Sequence, residues 1–110
     1  MPYSNVHRSA RISPTKVRPV ADMICGQGAE EALTTLMMSK RRGAALMHKA
    51  LLAAIANAEQ KDLDRRNLIV VDARVDSGPT IKRWQPKDRG RAHPILKRTS
   101  HITVIVDQVA

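Results

Sequence analysis

The sequence predicts an α+β fold in which helices cover one face of an antiparallel sheet and a basic β-hairpin projects from that sheet. Apolar residues recur with helical spacing in the first half of the chain, whereas β-branched runs occupy residues 68–75 and 102–106. Helices first and strands later are typical of this fold class. The segment between the two runs contains prolines and glycines, which favours a strand pair that closes on a turn.

The composition is that of a small soluble protein. The 110 residues are enough for one domain, residues 1–110, with a modest core. That core must be aliphatic, because Tyr3 and Trp84 are the only aromatic residues. The lone Cys25 excludes an internal disulfide and suits a reducing compartment. The sequence begins without a hydrophobic signal region, and its longest apolar run is too short to span a bilayer. We therefore expect a soluble, intracellular protein with no membrane partner.

The first predicted elements are a short edge strand at residues 3–8 and a helix that begins at Ser13-Pro14. Serine caps free N–H groups at the start of a helix, and proline is tolerated at the first helical position. Gly26 is expected to end the helix in the left-handed conformation. Pro19 predicts an irregular start or a kink, because an interior proline removes a hydrogen bond. The expected buried stripe consists of Val17, Val20, Ala21 and Ile24.

Two further helices are predicted before the strands. The second runs from about Ala29 to Met38. Its expected inward-facing residues are Ala29, Leu33, Leu36 and Met37. The third runs from Lys40 to about Lys61, with Ser39 as its expected cap. Its predicted buried stripe consists of Ala44, Met47, Leu51, Ile55 and Ala58.

Residues 78–100, here called the arm, are predicted to form the distal part of a β-hairpin. With the turn centred between Lys87 and Asp88, the predicted pairs are Leu68 with Asp107, Asp76 with Thr99 and Arg83 with Ala92. About nine or ten residues in each strand, at roughly 3.3 Å each, give a projection on the order of 30 Å. An isolated two-stranded ribbon is marginal in water, so we expect a partner to enclose the arm.

The arm also carries most of the positive charge. Seven cations against one acid, Asp88, give it a net charge of +6 out of +9 for the whole chain. The cations are Lys82, Arg83, Lys87, Arg89, Arg91, Lys97 and Arg98. Charge runs are often only solvated faces, and lysines at a sheet edge deter aggregation. So much like charge on a slender ribbon repels itself, however, and polyanion binding is the favoured interpretation. A second basic cluster consists of Arg8, Arg11, Lys16 and Arg18.

Charge alone does not distinguish RNA from DNA as the polyanion. Basic β-arms with a proline at the tip also occur in architectural proteins that bend DNA through the minor groove. Trp84, beside the tip, has two interpretations: it packs against the opposite strand, or it offers a stacking surface to a base.

Short motifs elsewhere do not assemble into an enzyme or a metal site. The Ser13-x-x-Lys16 pattern of acyl-serine enzymes requires two further motifs in a larger domain. Gly26-Gln27-Gly28 lacks the third glycine of the dinucleotide fingerprint. The four histidines have no cysteine or carboxylate at metal-ligand spacing. Glu30 and Glu31 are adjacent, so we expect them to support the helix dipole rather than acid–base chemistry. We expect no enzymatic activity, no cofactor and no metal.

Residues 90–106, GRAHPILKRTSHITVIV, closely resemble the C-terminal signature of the large-subunit ribosomal protein L twenty-two family, bacterial type. In that signature a Gly-Arg-Ala segment is followed by Lys-Arg-Thr-Ser-His-Ile-Thr-Val. The resemblance extends to Gly78-Pro79, Lys82-Arg83, residues 56–59 and residues 13–26, and it covers nearly the whole chain in the family's order.

The resemblance implies a structural constituent of the large ribosomal subunit, with three helices against a three-stranded antiparallel sheet. Its hairpin would pass through RNA and line the polypeptide exit tunnel, and the protein would join the subunit early in assembly. The implied partners are large-subunit ribosomal RNA, neighbouring large-subunit proteins and the nascent polypeptide, all in the cytoplasm. The residues implied in RNA binding are Arg8, Arg11, Lys16, Arg18, Lys82, Arg83, Lys87, Arg89, Arg91, Lys97, Arg98 and His101. Those implied at the tunnel-facing tip are Arg83, Trp84, Lys87, Asp88, Arg89, Gly90 and Arg91.

Three residues depart from the family's pattern in the arm. Asp88 places an acid in a tip that is normally basic or neutral, and Trp84 adds bulk there. Pro94 lies in the return strand, where it cannot donate a ladder hydrogen bond. These departures bear on the conformation of the tip and leave the resemblance of the rest of the chain intact.

Overall fold

The computed structural model describes residues 3–87 and 90–108, and their side chains except at residues 86, 87 and 91–93. Within these residues lie three α-helices and an antiparallel sheet, which confirms the α+β prediction. The strands are β1 (Tyr3–Ala10), β2 (Leu68–Ser77), β3 (Ile81–Lys87), β4 (Arg91–Lys97) and β5 (Ser100–Gln108). The helices are α1 (Pro14–Ile24), α2 (Ala29–Met38) and α3 (Arg42–Glu59), followed by a 3-10 turn at Arg65–Asn67. None of the described helices is both long enough and apolar enough to cross a membrane.

The three-stranded sheet of the body has the strand order β1-β5-β2, with β5 in the middle. Alternate residues of β5 point toward the helices, and Ile102, Val104 and Val106 are fully buried there. α3 contacts β1 and β5, while α1 contacts β2, so the helices cover one face of the sheet as the sequence predicts. The predicted edge strand is confirmed as β1, which continues two residues further, to Ala10.

α1 begins at Pro14 and continues through Pro19. The predicted serine cap is wrong: the Ser13 side chain makes no capping bond, and its Oγ lies 3.0 Å from Thr15 Oγ1. Pro19 is tolerated because the carbonyl that loses its amide partner belongs to Thr15, in an exposed first turn where water can bond it. Gly26 has a φ of 85°, as expected of a helix end. The predicted buried stripe is confirmed at Val17, Val20, Ala21 and Ile24.

α2 has the predicted bounds, but the inward position assigned to Met37 is wrong. Met37 is 74% exposed, whereas Leu36 is buried. At 3.6 residues per turn, one further residue rotates the side chain by about 100°, which takes Met37 off the core face. The core positions of α2 are Ala29, Ala32 and Leu36, with Leu33 partly buried against them.

α3 begins two residues later than predicted, at Arg42. Ser39 does not cap it; its Oγ accepts a hydrogen bond from the Arg41 N–H at 3.3 Å, and Arg41 occupies the cap position. A Cβ placed on Gly43 would lie 3.3 Å from Val17 Cγ2, so the start of α3 lies directly against α1. The predicted stripe of Ala44, Met47, Leu51, Ile55 and Ala58 is confirmed, and Gly43, Ala50 and Ala54 are also buried.

The hairpin register differs from the predicted one, and the difference grows toward the tip. The observed pairs are Leu68 with Gln108, Asp76 with His101 and Arg83 with Ile95. A bulge between Val70 and Asp72 adds one residue to β2. A second extra residue lies between the two ladders, in residues 78–80, which face only residues 98–99. The predicted turn centre is therefore wrong, because Lys87 pairs with Arg91. Within that connection Gly90 has a φ of 78°.

Candidate nucleic-acid interface

The arm leaves the body at a break in the hairpin ladder. β2 and β5 pair as far as Ser77 and Ser100, and β3 and β4 pair from Ile81 and Lys97 onward. We call the residues between these pairs, 78–80 and 98–99, the joint. Beyond it β3 and β4 form a separate two-stranded sheet and contact chiefly each other. The molecule measures 63 × 24 × 16 Å along its principal axes, as expected for a body with a projecting ribbon.

The joint is held by a close approach of two backbone segments. The Gly78 N–H donates to the Thr99 carbonyl at 2.9 Å, and Thr99 Oγ1 donates to the Pro79 carbonyl at 2.6 Å. Thr99 is buried, with 3% of its surface exposed. A Cβ on Gly78 would lie 2.5 Å from Thr99 Oγ1, so this approach requires glycine.

Gly78→Ala is expected to lower the free energy of unfolding by about 1–3 kcal/mol, because the methyl group displaces the buried Thr99 side chain from its bond to Pro79. Urea unfolding followed by circular dichroism measures this change. In the control Gly28→Ala a Cβ meets nothing within 4 Å, so its cost is only that of alanine at the N-cap of α2, about 0.5–1 kcal/mol. If Gly78→Ala costs as much in a Thr99→Ala background as in the wild type, the clash with Thr99 is not its cause.

A basic groove of about 700 Å³ lies beside the joint. Its lining comes from segments that are distant in the sequence: the β1–α1 connection, the first turns of α1 and α3, and the end of β4 with the residue that follows it. The lining residues are Arg11, Ile12, Ser13, Lys16, Arg42, Lys97 and Arg98. The groove thus unites part of the N-terminal basic cluster with the two basic residues at the root of the arm.

Local packing fixes the body side of this groove. Ile12 is buried, and its carbonyl accepts a 2.6 Å hydrogen bond from the buried Ser100 Oγ, which ties the β1–α1 connection to the start of β5. The irregular end of β1 is held by His101, whose Nδ1 accepts a hydrogen bond from the Ser9 N–H at 3.0 Å. Arg42 reaches the groove because Gly43 lets the start of α3 lie against Val17.

The groove has an uncompensated positive charge. The ion pairs found among residues 3–87 and 90–108 join Arg65 to Glu59, Arg66 to Asp64 and Arg74 to Asp72. None of them involves a cation of the groove, and no carboxylate of the described residues lines it. Five cations gathered with no described acid among them favour the binding of an anion, and arginine suits phosphate through its fork of N–H donors.

The remaining predicted RNA-binding residues lie on exposed surfaces outside the groove or beyond the described side chains. Arg8, Arg18, Lys82 and Arg83 are exposed. His101 is half-buried and bonds within the protein through Nδ1. The side chains of Lys87 and Arg91 lie outside the described set, and Asp88 and Arg89 lie outside the described residues altogether.

Both faces of the arm carry cations. Cross-strand partners share a face, so Lys82 lies with Leu96 on one face, and Arg83 lies with Ile95 on the other. Lys97 lies on the same face as Arg83. A ribbon that is basic on both faces suits a partner that surrounds it rather than one that covers a single side.

Trp84 and Pro94 form the next cross-strand pair on the face that carries Lys82 and Leu96. Trp84 remains 68% exposed and Leu96 48% exposed, so contact across the ladder covers only a small part of the indole. The exposed ring is available for stacking, one of the two interpretations that the sequence leaves open.

Sequence reasoning missed Arg42 as a groove residue. It belongs to the run Lys40-Arg41-Arg42, which immediately precedes and begins α3. Cations near a helix N-terminus oppose the helix dipole, and such an unfavourable placement is a signal that these residues serve a partner. Within the described residues, no three histidine, cysteine or carboxylate side chains come together as a metal site.

Comparison with known proteins identifies a family for almost the whole chain. Residues 5–107 match the family described as Ribosomal protein L22p/L17e. The large ribosomal subunit protein uL22 of Desulfosudis oleivorans is 50% identical over 103 residues, which cover 94% of this chain and 90% of that protein. The protein of the same name from Protochlamydia amoebophila is 50% identical over 105 residues, covering 94% of this chain and 95% of the relative. That of Desulfotalea psychrophila is 46% identical over 104 residues, with 94% of each chain covered.

Proposed function

The chain belongs to the ribosomal protein L22p/L17e family, and from that premise we propose that it binds large-subunit ribosomal RNA through the groove and the arm. Membership makes it a structural, non-enzymatic constituent of the large ribosomal subunit. The observation that carries the proposal is the convergence of five cations in one groove that no described carboxylate lines.

The proposed mechanism is electrostatic and geometric. Arginine forks bond phosphate oxygens in pairs, whereas lysines supply point charges. Contacts to phosphate position a protein on RNA without reading its sequence. The groove therefore fixes the place and orientation of the body on folded RNA, while Arg8 and Arg18 extend the same interface over the body surface.

The arm is proposed to pass through RNA and line the polypeptide exit tunnel. Because Lys82 lies on one face of the ribbon and Arg83 on the other, surrounding phosphates find cations on both sides. A ribbon enclosed in this way must be in place before the RNA closes around it, which supports entry early in assembly. The proposed tunnel-facing tip consists of Arg83, Trp84, Lys87, Asp88, Arg89, Gly90 and Arg91, which would meet the nascent polypeptide.

The proposal predicts that a tagged chain in bacterial cytoplasm sediments with large ribosomal subunits through a high-salt wash. Charge pairs that are enclosed between protein and RNA are screened by salt much less than exposed pairs are. Sucrose-gradient fractions probed for the tag and for ribosomal RNA measure the distribution. Release of the chain into light fractions, or its recovery with the nucleoid, would contradict the proposal; recovery with the nucleoid would point instead to an arm that bends duplex DNA.

A further inference from the structure

We propose that an RNA backbone segment bound in the groove fixes the direction of the arm relative to the body. This inference rests on the proposed RNA-binding function and assigns the groove a second role, as a lock across the joint. The ligand class is a stretch of backbone with several phosphates, because five cations line an opening of about 700 Å³.

The groove has one wall on each side of the joint. Lys97 ends β4 and Arg98 lies in the joint, so both move with the root of the arm. Arg11, Lys16 and Arg42 belong to the body, where buried contacts of Ile12 and Gly43 hold their segments. An anion that contacts both walls therefore connects the arm to the body.

The joint holds its two strands to each other, but few of its contacts fix the direction of the arm relative to the body. The β-ladder is interrupted there, and the hydrogen bonds found across it are those from Gly78 to Thr99 and from Thr99 to Pro79. β3 and β4 contact chiefly each other beyond it. Since β3 alone has 7 residues, a rotation of about 10° at the joint would move the tip by roughly 4 Å at about 3.3 Å per residue.

The charge of the two walls has opposite effects on the arm in the free and in the anion-bound protein. Without an anion, the cations of the two walls repel one another across the groove and favour a spread of arm directions. A phosphate chain between the walls replaces that repulsion with attraction to both sides, so it narrows the spread. The RNA that the protein binds would thus also set where its tip points.

The test measures a distance between the body and the arm in the full-length chain. Cys25 is the only cysteine and is exposed on the body, and Gln85 is an exposed residue of β3, so Gln85→Cys supplies a second spin-label site. Neither residue lines the groove. Double electron–electron resonance then gives the distribution of label distances without ligand, with inorganic tripolyphosphate, and with protein-free large-subunit RNA.

We expect tripolyphosphate to narrow the distance distribution. Arg42→Ala removes one body-side cation and should weaken tripolyphosphate binding about tenfold, as expected for one charge-assisted contact, with narrowing shifted to correspondingly higher concentration. The control Lys61→Ala removes an exposed cation beyond the far end of α3. It should leave the affinity for tripolyphosphate and the concentration at which the distance distribution narrows unchanged. Circular dichroism verifies that each variant is folded.

Two results would overturn the inference: a distance distribution that has the same width with and without an anion, or a narrowing that Arg42→Ala leaves unaltered. Filter binding of the same samples to large-subunit RNA separates this failure from that of the proposed function. Tight RNA binding without anion-dependent narrowing would overturn the lock alone. Absence of RNA binding would overturn the function on which it rests.

Discussion

Replacing both Lys97 and Arg98 with alanine is expected to weaken binding to large-subunit RNA by about tenfold to a hundredfold at moderate salt. Both residues line the groove at the root of the arm, where no described carboxylate competes for them. Each phosphate contact that is lost should also reduce the magnitude of the negative slope of log K against log salt by roughly 0.7 to 0.9. Filter binding across a salt series measures both quantities, and the double variant should lose about 1.5 from the slope.

The matched control removes two exposed cations far from the groove, Lys61 and Arg66. Arg42 lies at the start of α3, which has 18 residues, and these two residues follow its end. The helix therefore separates the two sites by roughly 27 Å at 1.5 Å per residue. An unchanged salt slope in the Lys97→Ala/Arg98→Ala variant, or an equal fall in the control, would show that the groove makes no specific phosphate contact.

The sequence indicates the arm more clearly than the groove. The charge of the arm is contiguous in the chain, and the flanking β-branched runs define its strands, so both can be read directly. The groove joins residue 11 to residue 42 and residue 98, and no periodicity relates such positions. Their proximity depends on the approach of Gly43 to Val17 and on the bond between Ser100 and Ile12, which only tertiary packing produces.

The errors in the predicted elements have local physical causes. A symmetric count of strand residues assumes an unbroken ladder, whereas this hairpin has a bulge after Val70 and an unequal joint. A bulge leaves no mark in the hydrophobic alternation when the extra residue is itself apolar, as Val71 is. The predicted cap at Ser39 is wrong because a serine before a basic run is compatible with several helix start positions. α3 begins at Arg42, two residues after the predicted start.

The joint offers a clean place at which to shorten the arm. Deletion of residues 82–91 removes most of β3, the turn and the first residue of β4, but it retains the pair of Ile81 with Lys97. The five residues 92–96 would then connect this pair, a length that is common in hairpin loops. All residues that line the groove remain, as do the glycine and threonine of the joint.

This deletion variant is expected to enter large subunits as efficiently as the full-length chain, because the groove and the body retain their RNA contacts. The tunnel should be wider where the tip is proposed to lie. Quantitative mass spectrometry of purified subunits measures incorporation, and cryo-electron microscopy of the same subunits measures the tunnel radius. Lys61→Ala serves as the control, since it removes an exposed cation beyond the end of α3 and should leave both incorporation and the tunnel radius unchanged. If the shortened chain never enters subunits, the arm rather than the groove anchors the protein; an unchanged tunnel radius would remove the tip from the tunnel wall.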